Sequence, residues 1–418
     1  MKPDKIYGAL LLVLSALSCN EYDPVFDKSA SERTHTLFGE CSAALMQAES
    51  GWDMHYYINS ESRGYHLLMD FTSTSSVTIA GKNALTDNEY LESASHYEFN
   101  ISNGPVISFD TYNDVLHPFA DPDLQDLGGD FEFIIVDVSD SSINLRGKRN
   151  NTVIRMNKIE GAISHVEYFD EISEMTRILF SSGAPDYSLV INGSPTVHNF
   201  TNGSGSVFTV STAADTTILM PFIVTTDGFR LYKAEELSGS GAQTFRLNND
   251  NSALVSTEAP HVMLTGPADV ASFFSGTTVN WVLDPSSLSP DVQLLYDEII
   301  NSVKFRYNGS TDIYLALAGI PSEDYFSLRL GFIYNRNVVV ADVYFDFAIN
   351  GTNGVSFDYT HTGNSAGSAL ITSISGYSEL AELISSSFNL STQYPVSIYD
   401  LIFTKVTASG TWFSTKRN

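Results

Sequence analysis

The sequence predicts an α+β protein, predominantly antiparallel β meanders with a few amphipathic helices packed on the sheets. Three observations carry that reading. Apolar and polar residues alternate with a period of two through most of the chain, in short runs parted by Gly, Asn, Asp and Ser. A few stretches change to helical spacing and open on capping residues. The 418 residues are 43% apolar and 12% aromatic, enough to build cores in more than one domain.

Residues 1–18 have the three-part layout of an export signal: Lys2 and Lys5, an apolar run from Ile6 to Leu14, then small residues up to Cys19. That run is too short to span a hydrocarbon layer, which takes about 20 residues. Ser15-Ala16-Leu17-Ser18-Cys19 resembles the lipobox of bacterial lipoproteins, although the usual Leu-Ala-Gly order is replaced by Ala16-Leu17-Ser18. The expectation is cleavage before Cys19, with diacylglyceryl and palmitate-type chains on that cysteine as a membrane anchor. Residues 19–28 then form a polar tether, and Cys41 is left as an unpaired thiol on the apolar face of a helix.

Ser29 and Glu32 have the spacing of a capping box, and Leu37, Phe38, Cys41, Ala44, Leu45 and Ala48 continue a helix up to Gly51. Strands are expected at 54–58, 65–71, 76–79, 97–101, 106–110, 131–138, 142–145 and 152–156, close enough to pair as a meander. A second helix is predicted from Gly161 to Phe180, with Ile163, Val166, Phe169, Ile172 and Leu179 on one face. Strands follow at 187–191, 207–210, 217–225, 228–232 and 243–247. The polar run Asn248 to Pro260 reads as a linker, which divides the body into domains at 29–258 and 259–418.

In the second half Pro290 stands where a helix starts, with Val292, Leu295, Ile299 and Val303 as its stripe. Strands are expected at 313–317, 326–334, 338–349, 355–359, 396–406 and 411–413, with a short helix at 378–385. Gly104 to Tyr112 and Asn353 to Tyr359 are similar enough to hint at an internal duplication.

Charge excludes one class of partner. With 49 Asp and Glu against 22 Lys and Arg, net −27, and no basic run longer than Arg146-Gly147-Lys148-Arg149, nucleic acid is not expected. Catalytic patterns are scarce. Gly363-Asn364-Ser365-Ala366-Gly367 fits the nucleophile-elbow spacing, but no histidine follows His361, so a Ser-acid-His order cannot be completed and the segment reads as a turn. The nine histidines show no zinc spacing along the sequence, so no metal or catalytic residue is assigned. Asp121, Asp123, Asp126 and Asp130 offer oxygen ligands in one loop, which makes calcium the one cofactor worth weighing, though the EF-hand pattern is absent. Trp52, Tyr56, Tyr57 and His117 are the ligand-binding candidates, because aromatic faces suit sugar rings and apolar polymers.

The stretch Val25 to Ile159 resembles the Bacteroidota lipoprotein family known as domain of unknown function 4302. The likeness rests on Val25 to Arg33, Gly51-Trp52, Tyr56-Tyr57, Gly104 to Asn113, Leu116 to Pro122 and Leu127 to Phe133, with a second stretch from Pro221 to Tyr232. The resemblance implies an outer-membrane surface lipoprotein, for which Glu21 and Asp23 look like the sorting signal. Its expected role is accessory and non-catalytic, beside an outer-membrane transporter and partner lipoproteins of a starch-utilisation-type uptake system, binding a glycan, peptide or other polymer. A hydrolase acting on glycan or peptide, and a structural subunit of a lipoprotein complex, are the alternatives. A groove or aromatic platform distinguishes binding; a deep cleft with paired carboxylates or a metal site distinguishes hydrolysis; a large apolar patch distinguishes the subunit.

Overall fold

The computed structural model describes residues 28–102, 104–124, 127–203, 206–211, 217–235, 241–320 and 325–417. The signal, Cys19 and most of the tether lie outside the described residues. The body is β-rich with antiparallel sheets and a few helices, as the alternation predicts, and each meander closes on itself. Three eight-stranded barrels result: β1 to β8, β9 to β16 and β17 to β24, with the first and last strand of each hydrogen-bonded to one another.

The first barrel runs β1 (Trp52–Tyr57), β2 (Gly64–Phe71), β3 (Ser76–Gly81), β4 (Leu91–Ile101), β5 (Pro105–Phe109), β6 (Glu132–Val138), β7 (Ser142–Gly147) and β8 (Val153–Lys158). Alternate residues face inward, so Trp52, Met54 and Tyr56 of β1 meet Leu67, Met69 and Phe71 of β2 and Ile154 and Met156 of β8 in one interior. Helix α1 (Ala30–Met46) precedes it, and its Ser29/Glu32 capping box is formed as expected. Cys41 and Leu45 join the same interior, and Trp52 Nε1 donates to Leu45 O at 3.2 Å. Burial pushes the Cys41 thiol up to about 12, so it is an inert apolar filler.

Helix α2 (His165–Phe180) starts on a second capping box, Ser164 with Glu167. It serves two barrels. Phe169 and Ile172 pack with Leu68 and Ala80 on the outer wall of the first barrel, whereas Met175, Ile178 and Leu179 enter the interior of the second. Val166, expected on the buried face, is exposed in the first turn of the helix.

The second barrel contains β9 (Tyr187–Ile191), β10 (Ser194–Gly203), β11 (Val207–Ser211), β12 (Thr217–Thr225), β13 (Gly228–Glu235), β14 (Ala242–Leu247), β15 (Ala253–Ser256) and β16 (Val262–Thr265). The expected linker at 248–260 is therefore a correction. Asn248 Oδ1 accepts from the backbone of Ser252 and Ala253 to make a hairpin turn, and the four residues of β15 are too few to show an alternation. The two-domain division falls with it, since position 258 lies inside a barrel.

After α3 (Val270–Gly276), the third barrel comprises β17 (Asn280–Leu288), β18 (Thr311–Ile320), β19 (Tyr325–Tyr334), β20 (Asn337–Asn350), β21 (Gly354–Gly363), β22 (Ser387–Ser391), β23 (Asp400–Lys405) and β24 (Trp412–Arg417). Helix α4 (Pro290–Arg306) is where Pro290 predicts it, with Val292, Ile299 and Val303 buried. Helices α5 (Ser365–Leu370) and α6 (Tyr377–Ile384) fill the β21 to β22 connection. Gly363 to Gly367, expected as a turn, instead joins the end of β21 to the start of α5, whose N-cap is Asn364 with Oδ1 accepting from Gly367 N at 2.7 Å; the motif still lacks a following histidine. Gly104 and Asn353, which open the two similar stretches, precede the fifth strands of the first and third barrels, so the likeness falls on equivalent positions. Val396 and Tyr399 reach across into the core of the second barrel, and Val396 N donates to Asn251 O at 3.0 Å.

Tyr56 shows how tightly the first interior is specified. Its hydroxyl accepts from Asp130 N at 2.8 Å and lies 3.1 Å from Asp130 O, while a Cβ at Gly129 would overlap that hydroxyl. Tyr56→Phe leaves a buried N–H without a partner, and is expected to lower stability by about 1 to 3 kcal/mol in chemical denaturation.

Candidate functional site

In a barrel with a packed interior, outward residues normally face water, yet all six residues of β1 are buried. Trp52, Met54 and Tyr56 point in, so Asp53, His55 and Tyr57 point out. Their wall is covered by α2 and by β12 and β13 of the second barrel. Leu68 of β2 packs under Phe169, and Tyr57 lies between Ile223 and Tyr232, with its ring 4.8 Å from that of Tyr232.

Strand register brings the polar members of this wall together. Across β1, His55 is paired with His66 of β2 on one side and with Arg155 of β8 on the other; Asp53 is paired with Asn157. Asp53 Oδ1 lies 2.9 Å from His66 Nδ1, and Asp53 Oδ2 lies 3.1 Å from His55 Nε2. Tyr168 of α2 donates its hydroxyl to Asp53 Oδ2 at 3.1 Å, and His66 Nε2 lies 2.7 Å from Val224 O of the second barrel. Among the described residues, Asp53, His55 and His66 are the one group that gathers three side-chain atoms able to hold a metal ion.

The electrostatics follow from burial and from these contacts. Burial alone would raise the Asp53 carboxyl, but the imidazoles of His66 and His55 outweigh it and hold the group well below the usual carboxylate range. Burial drives His55 toward its neutral form against the pull of Asp53. Tyr168 is pushed above the usual phenol range, first by burial and then by Asp53. His66 Nδ1 faces the Asp53 carboxylate and its Nε2 the Val224 carbonyl, so both ring nitrogens face acceptors.

The cluster lies at the floor of a cleft of about 1260 Å³ between the first barrel, α2 and the second barrel. Eight carboxylates line it against four Lys and Arg, so its charged lining is net acidic. Arg155 and Arg230 line it with no carboxylate within 4 Å among the described residues: Arg155 donates to Asn157 and Asn144, Arg230 to Thr244. Burial, with Arg155 nearby, lowers the Arg230 guanidinium from its ordinary value. Glu258 accepts from the backbone of Gln243 and Thr244, which fixes it on the second-barrel wall.

None of the residues singled out in the sequence lines this cleft. Trp52 and Tyr56 are interior packing, and Tyr57 is buried in the contact between barrels, because inward and covered outward positions of β1 both lack solvent. His117 sits in a short 3-10 turn, its ring between those of Tyr112 and Phe131, with Nδ1 accepting from Asn113 N at 2.9 Å. Asp130 directs Oδ1 and Oδ2 to the backbone N–H of Arg149 and Asn150, so it caps a turn. Asp121 Oδ1 accepts from Asp123 N, and Asp126 lies outside the described residues. Cys19 also lies outside them. The signal for the buried cluster was Asp-x-His at 53 and 55, on one strand face, and a histidine across the hairpin.

Residues 22–249 match the model of a family described as domain of unknown function (DUF4302). The match covers the first barrel and ends after β14, and includes every residue of the Asp53, His55 and His66 cluster. No curated protein matches the sequence. Among solved structures, the chain is similar to DNA polymerase III subunit beta from Borrelia burgdorferi, at 10% identity over 94% of this chain and 98% of that one, with a TM-score of 0.15. Likeness at that level carries no argument about fold or role.

Removing Asp53 strands two histidines in the interface. Asp53→Ala is expected to cost about 3 to 5 kcal/mol, read as a shift of the urea transition, whereas Tyr168→Phe, which removes one hydrogen bond, costs about 1 kcal/mol.

Proposed function

The chain belongs to the DUF4302 family, and from that premise we propose that it is a non-catalytic lipoprotein of the bacterial outer surface that holds a glycan or another hydrophilic polymer in the cleft between its first two barrels. The single observation that carries this reading is the cleft itself: about 1260 Å³, lined by many charged and polar side chains, with the guanidinium groups of Arg155 and Arg230 free of carboxylate partners among the described residues. A groove of that size accepts several sugar units. Its walls offer many donors and acceptors beside an equal share of apolar surface. Hydroxyl-rich ligands answer both the acceptors and the two guanidinium groups.

Anchoring rests on the export signal and Cys19, and a Bacteroidota outer-membrane setting with a transporter and partner lipoproteins rests on the family resemblance. Among the described residues no helix is long and apolar enough to cross a membrane. In cells, Cys19→Ala is expected to move the protein from the membrane fraction to the soluble fraction; unchanged retention would refute the lipid anchor. Binding is tested by electrophoresis through native gels containing neutral or uronate-bearing polysaccharides. Retardation of the wild-type chain by at least one of them, reduced by Arg230→Gln, is the expected outcome. Equal migration in every gel would remove the binding reading.

A further inference from the structure

We propose that Asp53, His55 and His66 form a site for one zinc-type divalent metal ion, set in the floor of the cleft where the first two barrels meet. This inference stands on the cluster's own geometry and does not depend on what the cleft holds.

The three ligand atoms lie within 4.8 Å of one another. Tetrahedral zinc bound to nitrogen and oxygen at about 2.0 to 2.1 Å places its ligands about 3.3 Å apart. The observed separations, 2.9 Å from Asp53 Oδ1 to His66 Nδ1 and 3.1 Å from Asp53 Oδ2 to His55 Nε2, are already close to that spacing. Two imidazoles and one carboxylate are a donor set suited to zinc and its neighbours among the divalent transition metals.

Hydrogen bonding around the cluster is what an ion there would require. His66 Nε2 is fixed 2.7 Å from Val224 O, which orients the ring so that Nδ1 faces Asp53. Metal-ligating histidines characteristically donate their second N–H to a carbonyl in this way. Tyr168 donates to Asp53 Oδ2 and orients the carboxylate.

His55 supplies the observation that points most directly to a missing ligand. Asn157 Oδ1 accepts from Arg155 Nε, so the Asn157 amide nitrogen is the atom 3.3 Å from His55 Nε2. An Nε2–H tautomer satisfies Asp53 but sets two donors against each other at Asn157. The Nδ1–H tautomer satisfies Asn157 but sets a lone pair against the Asp53 carboxylate. Nδ1 is itself buried with no partner in either case. A cation held by the Asp53 carboxylate and the Nε2 lone pair of the Nδ1–H tautomer replaces that repulsion with ligation, the Asn157 amide then giving up the lone pair. Asp53 and His55 both border the cleft, which leaves a direction from which an ion and an exchangeable fourth ligand can enter.

The test is zinc titration of chelator-treated full-length protein by calorimetry. One zinc per chain is expected, with His55→Gln and His66→Gln each weakening binding by more than about 100-fold, and His96→Gln, at the exposed His96 and Asp110 pair, leaving it unchanged. Folding of each variant is checked by circular dichroism. Should a variant fail to fold, X-ray absorption of the cobalt-loaded wild-type chain decides independently: two imidazoles per metal support the site. No saturable binding, binding that survives both histidine substitutions, or a metal shell of oxygen ligands alone would overturn it.

Discussion

Helix α2 has to satisfy two barrels at once. Its first half lies on the outer wall of one, and its second half fills the interior of the next. A helix of 16 residues is a stiff rod about 24 Å long, so burying both halves leaves the barrels little freedom to turn about each other. Everything at the cleft depends on that restraint. It holds Val224 within reach of His66, seats Tyr168 over Asp53, and sets Arg230 of one barrel beside Arg155 of the other. The third barrel is held by a similar device, with Val396 and Tyr399 inserted into the core of the second.

Much of this architecture was legible in the sequence. Alternation in Met54 to Ile58 and Tyr65 to Phe71 marked real strands, and the Ser29/Glu32 capping box and Pro290 marked real helix starts. Barrel closure was not legible, because it depends on pairs such as Trp52 with Lys158 that no local pattern records. Strand β17 was missed for a related reason. Its Asp284-Pro285-Ser286-Ser287 segment reads as a turn, and the barrel absorbs it as a shift of register against β24.

The site was harder to read than the fold. Large aromatics attracted attention at Trp52, Tyr56 and Tyr57, but in a closed barrel with a covered wall those are the residues most needed for packing. The chemistry instead lies at Asp53, His55 and His66. Their spacing fits no linear motif, because the hairpin between β1 and β2 and the approach of a second barrel assemble it. The burial of every β1 residue is the structural sign that something other than water occupies the outer face.

Closure has a further consequence for a protein that carries 49 acidic and 22 basic residues. An open sheet ends in strands whose unpaired N–H and C=O groups can recruit another chain, and crowded proteins aggregate through such edges. In each of these barrels the last strand pairs with the first, so the ladder has no end. Neighbouring copies therefore meet as closed bodies of like charge, repelling at long range and offering no strand for the other to extend. Crowding then brings such bodies together without giving either an open strand to extend.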